Sequence, residues 1–271
     1  MELWNLNEQI VDSAVDRLGR GFDRVEDQIY DILKRYLTRF ELSDGSFAAQ
    51  TATARLITDM NREIAAALTA SSIDSEISRF LVNFDEIGEN VRRMHRQLSD
   101  VNVPEAIVNQ QKQFAIDRTV YSLREANVSL RFIDPVKRVL YQRVTTGASL
   151  LDTERELRNM IRGAAGEKGI LERWVGQIAR DSINQYEGSV HTSVKNEFNF
   201  QAFRYVNSLV SDSRSQCKRW VNMGRIEFAN LPEEIRWAYN NGSGMIPDTM
   251  IDNFLINRGG YNCRHRAIPV K

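Results

Sequence analysis

The side chains best suited to chemistry lie near the end of the chain. Cys217 is followed forty-six residues later by Cys263-Arg264-His265. Thiolates and imidazoles are the ligands that zinc prefers, normally as a tetrahedral set of four. Here three are visible. Asp212 stands close enough in sequence to complete a set, yet no Cys-x-x-Cys pair exists, because position 220 is Trp. Cys217, Cys263 and His265 are therefore a marginal zinc candidate. A Cys217–Cys263 disulfide conflicts with folding in a reducing compartment. The favoured reading needs no cofactor: two buried thiols and a hydrogen-bonded histidine that pin the last strand. Cys217 and His265 would also serve as nucleophile and base, but no oxyanion-hole glycine signature or third orienting residue accompanies them.

Elsewhere the sequence is poor in reactive constellations. His95 and His191 stand alone, without ligand spacing. There is no GxxxxGK[ST], no HExxH and no GxGxxG after a strand, which removes the usual grounds for an ATPase, a zincin or a dinucleotide enzyme. No catalytic residue is assigned, and the expectation is a protein that is not an enzyme. Basic groups gather at Arg214, Lys218, Arg219, Arg258, Arg264, Arg266 and Lys271. Such a set suits contact with phosphate, a solvated face, or the acidic rim of a partner. The predominance of arginine over lysine favours bidentate carboxylate contacts.

These residues must be positioned by a chain of 271 residues with 36 Lys+Arg and 36 Asp+Glu, 42% of it hydrophobic. That length supports one large domain or two smaller ones around a substantial core. Zero net charge argues against an electrostatic grip on nucleic acid by the whole chain. The start, MELWNLNEQIVDS, has neither a basic leader nor an apolar run, and no stretch approaches the roughly 18 apolar residues that span a bilayer. The expectation is a soluble protein made in a reducing cytoplasm.

Proline is absent before Pro104, so the first hundred residues are free to be long helix. Val11, Val15, Leu18, Phe22, Val25, Ile29, Ile32 and Tyr36 recur at alternating steps of four and three. Ile73, Ile77, Phe80, Phe84, Ile87, Val91, Met94 and Leu98 do the same. This spacing draws one apolar stripe down a helix, either a bundle face or a coiled-coil seam, with the bundle preferred. Between them Ser43-Asp44-Gly45-Ser46 predicts a turn and Phe47 to Leu68 a third helix. Ser71-Ser72 can cap the helix that follows. Pro104 suits the first turn of a helix through Val108, Phe114 and Val120, and Pro135 the start of another over Val136 to Val144. Gly163, Gly166 and Gly169 mark the best hinge. From Ile170 a long helix is predicted through Trp174, Ile178, Ile183, Tyr186, Val190 and Val194 and on to Val206, interrupted at Gly188. After Leu209, turn residues dominate, with Trp220 to Ile226 predicted as strand and turn and Pro232 to Tyr239 as a short helix. The fold expected is mainly α: a long-helix bundle or coiled-coil-like region over 1–165, then a module over 166–271 that combines one long helix with a compact, irregular α+β part.

The C-terminal third carries an ordered set of short motifs. They are Ile178-Ala179-Arg180-Asp181-Ser182 on a helix running through Ala202, then Asp212-Ser213-Arg214-Ser215-Gln216-Cys217. Arg258-Gly259-Gly260-Tyr261-Asn262-Cys263-Arg264-His265 and Ile268-Pro269-Val270 close the set. In order and spacing this resembles the phage head-morphogenesis domain of the Mu F-like minor head proteins of tailed bacteriophages. A second cysteine after Cys217 is missing, and His265 replaces a terminal cysteine; both departures weaken a four-ligand zinc site. The first 165 residues match no motif of the family. The resemblance implies a minor virion protein associated with the portal, acting in head assembly or genome delivery, present in the host cytoplasm and then in the virion. Its partners would be the portal protein and other head proteins, with phage DNA reached through the C-terminal arginines, self-association through the heptad helices, and no membrane. Asp212 and Arg214 would fix a turn, Cys217 would meet the Asn262-Cys263-Arg264-His265 close, and Gly259-Gly260 would permit tight backbone there. The alternatives are a cellular helical adaptor and, with less support, a toxin or transferase enzyme.

Overall fold

A computed structural model of the chain describes residues 3–40, 42–47, 51–124 and 128–271. Helix α1 (Leu3–Leu37) leads into a hairpin of β1 (Leu42–Ser43) and β2 (Ser46–Phe47). Then come α2 (Thr51–Thr69), α3 (Ile73–Leu81), α4 (Asn83–Ser99) and α5 (Glu105–Leu123). A π-helical turn at Ser129–Ile133 enters α6 (Asp134–Thr145), followed by α7 (Leu150–Arg162) and α8 (Ile170–Glu197). The remainder is β3 (Ala202–Val206), α9 (Ser215–Met223), β4 (Arg225–Glu227), a 3-10 turn (Phe228–Asn230), α10 (Leu231–Asn241), α11 (Phe254–Asn257) and β5 (Arg266–Val270). The architecture is mainly α with a small α+β module at the C-terminal end, as the spacing predicts. Among the described residues no helix is long and apolar enough to cross a membrane.

The stripe on α1 is buried within the single chain at Val11, Leu18, Phe22, Val25, Ile29, Ile32 and Tyr36. Ala14, Leu33 and Leu37 widen it beyond a two-residue seam, and Val15 is only half-buried. Three to four buried positions per two turns is the face of a bundle helix. The second stripe is also buried, from Ile73 through Met94, but it belongs to two helices. The break falls at Val82, which is 67% exposed and keeps helical torsions, so the apolar phase carries across the turn. Asp100, in the left-handed region at φ 50°, ends α4 by donating its N–H to His95 O.

Other predicted elements shift. Phe47 is a strand residue and α2 starts at Thr51, while residues 48–50 lie outside the described set. Asp44 and Gly45, both at positive φ, form the two-residue hairpin turn. Phe114 is 64% exposed and does not join the buried face of α5. Pro135 sits in the first turn of α6, where its missing N–H costs nothing. Helix α8 passes through Gly188 without interruption, and its interior positions are Leu171, Val175 and Ala179, with Trp174 and Ile178 only half-buried. Trp220 lies inside α9, which ends at Met223, and the strand starts only at Arg225. The glycine connector is packed: a Cβ on Gly169 would stand 1.7 Å from the Ile161 carbonyl oxygen.

The chain forms two compact units, each drawing on both sides of residue 165. One comprises residues 16–80 and 120–176. There the hairpin is tied to the start of α7, with Phe47 N–H donating to Ala148 O (3.1 Å) and Leu150 N–H to Gly45 O (3.0 Å). Ser149 caps α7 by accepting the Asp152 N–H. The Arg162–Asp27 ion pair (2.7 Å) joins α7 to α1 within this unit.

The other unit comprises residues 1–15, 81–119 and 177–271. Its antiparallel sheet has the order β4-β3-β5, with Phe203 opposite both Ile226 and Pro269. Pro269 is tolerated because β5 is an edge strand. Phe203, Tyr205, Trp220, Phe254 and Leu255 fill the module's core, with Trp220 edge-on to Phe254 at 5.1 Å. A polar network runs through the helices of this unit. Arg266, fully buried, donates from Nε to Glu187 Oε2 (3.0 Å) and from Nη1 to Glu8 Oε2 (2.6 Å). Asn7 donates to Glu187 Oε1 (3.1 Å) and accepts from Asn90 (2.9 Å), while Arg180 pairs with Glu8 and Asp12. Burial by itself would raise the Glu187 carboxyl. The Arg266 guanidinium, with His191, overrides it and holds that carboxyl well below the usual range.

Candidate functional site

Cys217 sits in the first turn of α9, which starts after Arg214 in extended conformation. Cys263 and His265 come from the loop joining α11 to β5. Folding brings the three together in the buried interior of the module, their ligating atoms all within 4.8 Å of one another. The two sulfurs are 3.9 Å apart and are free thiols, and Cys263 Sγ lies 3.8 Å from His265 Nδ1. Tyr205, from the central strand, places its hydroxyl 3.6 Å from Cys217 Sγ and 3.5 Å from Cys263 Sγ. Its ring also stacks on the His265 ring at 5.5 Å.

The loop is shaped by side chains that grip its carbonyls. Arg214 donates from Nη1 to Gly259 O (2.9 Å) and from Nη2 to Tyr261 O (2.7 Å). Gln216 donates to Ser243 O (2.7 Å) and Gly259 O (3.2 Å). Asn184 of α8 donates to Cys263 O (3.0 Å), and Arg258 donates to His265 O (2.8 Å). Asn262, at φ 54°, gives its N–H to Asp181 Oδ1 at 2.7 Å. Gly259 lies directly against the cluster. A Cβ there would stand 2.6 Å from Cys217 Sγ, 2.7 Å from Tyr205 Oη and 2.8 Å from Cys263 Sγ, so no larger residue fits. A Cβ on Gly260, at φ 106°, would stand 1.8 Å from the Gly244 carbonyl oxygen.

The electrostatics set the two sulfurs apart. A hydrogen bond from the Cys217 thiol, together with His265 and Arg258, pulls Cys263 well below the ordinary thiol range against the effect of burial. The same hydrogen bond, reinforced by burial, pushes Cys217 up. Burial and the two sulfurs also push the Tyr205 phenol well above its usual value, leaving it a neutral donor. A pocket opens onto the cluster between Ser208, Asp212, Ser213, Arg214, Asn262 and Arg264. Asp212 is exposed at its rim.

Every residue named from the sequence for this site therefore meets the cluster, its loop or the pocket. Tyr205 and Asn184 were missed: neither has a spacing relation to the cysteines, and only the alternation on β3 and the phase of α8 aim them inward. The helix carrying Asp181 ends at Glu197, so Ala202 belongs to β3. The basic set separates. Arg266 and Arg258 are buried, Arg219 is paired to Glu234 (2.7 Å), and Arg264 lies 3.8 Å from Glu8. Lys218 and Lys271 are exposed.

His95 and His191, read as solitary, are partners: His95 Nε2 and His191 Nδ1 lie 2.8 Å apart in the buried interior. Burial, then the neighbouring imidazole, drive His95 down to about 2, so the His95 ring is neutral and shares one hydrogen bond with His191. Among the described residues Cys217, Cys263 and His265 are the one metal-capable cluster. In comparisons with known protein families, curated proteins and solved structures, nothing matches the chain.

Proposed function

We propose that this chain is a minor structural protein of a tailed-bacteriophage virion, associated with the portal and acting in head assembly or genome delivery. One observation carries the reading. The short motifs that resemble the phage head-morphogenesis domain are scattered over more than eighty residues, yet they close on one another in space. Asp181 holds Asn262, Arg214 holds Gly259 and Tyr261, and Cys217 meets Cys263 against Gly259. This convergence supports reading the motifs as parts of one module.

The roles assigned to these residues are structural. The module supplies a rigid docking body, and the helices supply reach along a ring or into the capsid lumen. The test is quantitative mass spectrometry of purified virions and empty procapsids from a phage encoding this chain. A few copies per particle, comparable with a portal ring, are expected. Absence from both particles would refute the proposal and leave the cellular adaptor and enzyme readings.

A further inference from the structure

We propose that Cys217, Cys263 and His265 bind one zinc ion, with the fourth coordination position facing the pocket rimmed by Asp212. The inference concerns the purified chain and stands or falls independently of where the protein resides.

The three ligating atoms all lie within 4.8 Å of one another, and two of the three separations come close to those of a tetrahedral ligand set. Tetrahedral zinc with Zn–S of about 2.3 Å and Zn–N of about 2.0 Å separates two sulfurs by about 3.8 Å and a sulfur from a nitrogen by about 3.5 Å. The observed separations are 3.9 Å for Cys217 Sγ to Cys263 Sγ and 3.8 Å for Cys263 Sγ to His265 Nδ1. A disulfide would need the sulfurs at about 2.0 Å.

A second observation points to a ligand. His265 is 4% exposed and lines the pocket, yet its Nε2 is buried without a hydrogen-bond partner. Its Nδ1 has only the long contact to Cys263. Nδ1 is the nitrogen that approaches Cys263 Sγ, and a metal bound there would give it the strong partner that the 3.8 Å contact does not.

The surroundings supply what metal ligands require. Tyr205 Oη lies within hydrogen-bond reach of both sulfurs and can give its one proton to either, and the carbonyls of Cys263 and His265 are clamped by Asn184 and Arg258. Outer contacts of this kind fix ligand direction. Two thiolates cancel the charge of the ion. Three protein ligands and a position open to the pocket is a recognised zinc arrangement, and two thiolates with one imidazole match its chemistry better than that of calcium or magnesium.

The experiment uses the full chain, reduced and stripped of metal by a chelator, then titrated with Zn2+ or Co2+. The expected result is one equivalent bound. Co2+ should give a thiolate-to-cobalt charge-transfer band with strong visible ligand-field bands, displaced by Zn2+. Both cysteines should become at least tenfold slower toward a thiol reagent when zinc is present. His265→Gln should weaken zinc at least tenfold while leaving the helical circular dichroism unchanged. If that variant fails to fold, the cobalt spectrum and thiol protection of the native chain still decide. Featureless cobalt spectra, thiols equally reactive with and without zinc, or a disulfide-linked mass after reducing purification would each overturn the proposal.

Discussion

Replacing Gly188 by alanine sets a local preference against a tertiary contact, and the structure says which wins. Gly188 lies in the middle of α8, where alanine is the better helix former by about 1 kcal/mol. On that ground alone Gly188→Ala should stabilise the protein. The added Cβ, however, would stand 2.2 Å from the Leu255 carbonyl oxygen and 2.7 Å from the Ile256 Cα. These are backbone atoms of α11, which cannot rotate away as a side-chain tip would. Relieving the clash means moving α11 by roughly 1 Å, and α11 is anchored by Phe254 against Phe203 and Trp220. Overpacking of this kind costs about 1–3 kcal/mol, and a backbone obstacle belongs at the upper end. The net expectation is a loss of about 1–2 kcal/mol, read as a lower urea midpoint with an unchanged slope. Hydrogen exchange should quicken over residues 254–265, because α11 feeds the loop that carries Cys263 and His265. Gly19→Ala is the internal control. Its Cβ would meet nothing nearer than 3.9 Å, so it should gain about 1 kcal/mol. If Gly188→Ala gains stability as Gly19→Ala does, the packing argument is wrong.

Two further predictions concern buried charge. Burial raises the Glu26 carboxyl to about 8, only partly offset by the Glu172 N–H it accepts at 3.2 Å. The folded-state value lies above the unfolded one, so its contribution is fully favourable below about pH 4.5 and is lost as the pH rises toward 8. Glu26→Gln keeps an acceptor for that N–H and should match the native midpoint at pH 4.5 but exceed it at pH 8; parallel pH profiles would contradict this. Arg266→Met leaves the wholly buried Glu187 without its guanidinium and should cost about 3–5 kcal/mol in chemical denaturation. Adding Glu187→Gln should recover part of that loss, and a double variant no more stable than the single would show that Arg266 acts by packing alone.

What the sequence made legible follows from what spacing encodes. The stripe on α1 was readable because burial on a helix has a period, and that period survives in the residue types. The division of the second stripe between α3 and α4 was not readable. Val82 keeps helical torsions, so the apolar phase runs on while hydrogen bonding is interrupted. Gly188 misled for a related reason. Glycine weakens a helix by propensity, but here it serves α8 by admitting another backbone, and propensity has no knowledge of what crosses a helix. Gly169 suggests hinge freedom on the same grounds, whereas its want of a side chain makes room for the Ile161 carbonyl.

The candidate site divides along a similar line. Cysteine and histidine announce themselves by type, so Cys217, Cys263 and His265 were visible before any fold was known. Tyr205 was not, because tyrosine is common in strands, and only the register that sets it beside Ala267 and under His265 turns it into a partner of both sulfurs. The arginines show how charge counting fails. Arg214, Arg258 and Arg266 had the same standing as Lys218 in a tally of basic residues that might reach phosphate or a partner. In the fold the first holds two loop carbonyls, the second holds the carbonyl of His265, and the third is buried between Glu8 and Glu187. Formal charge says what a side chain can attract; whether that attraction is already satisfied inside the molecule depends on the acids and carbonyls that distant segments bring to it. Arg266 and Glu8 are separated by nearly the whole chain, so no local reading could have paired them. Any surface through which this protein grips phosphate must therefore be sought among residues such as Lys218 and Lys271, which remain exposed, and not in the arginines that hold the module together.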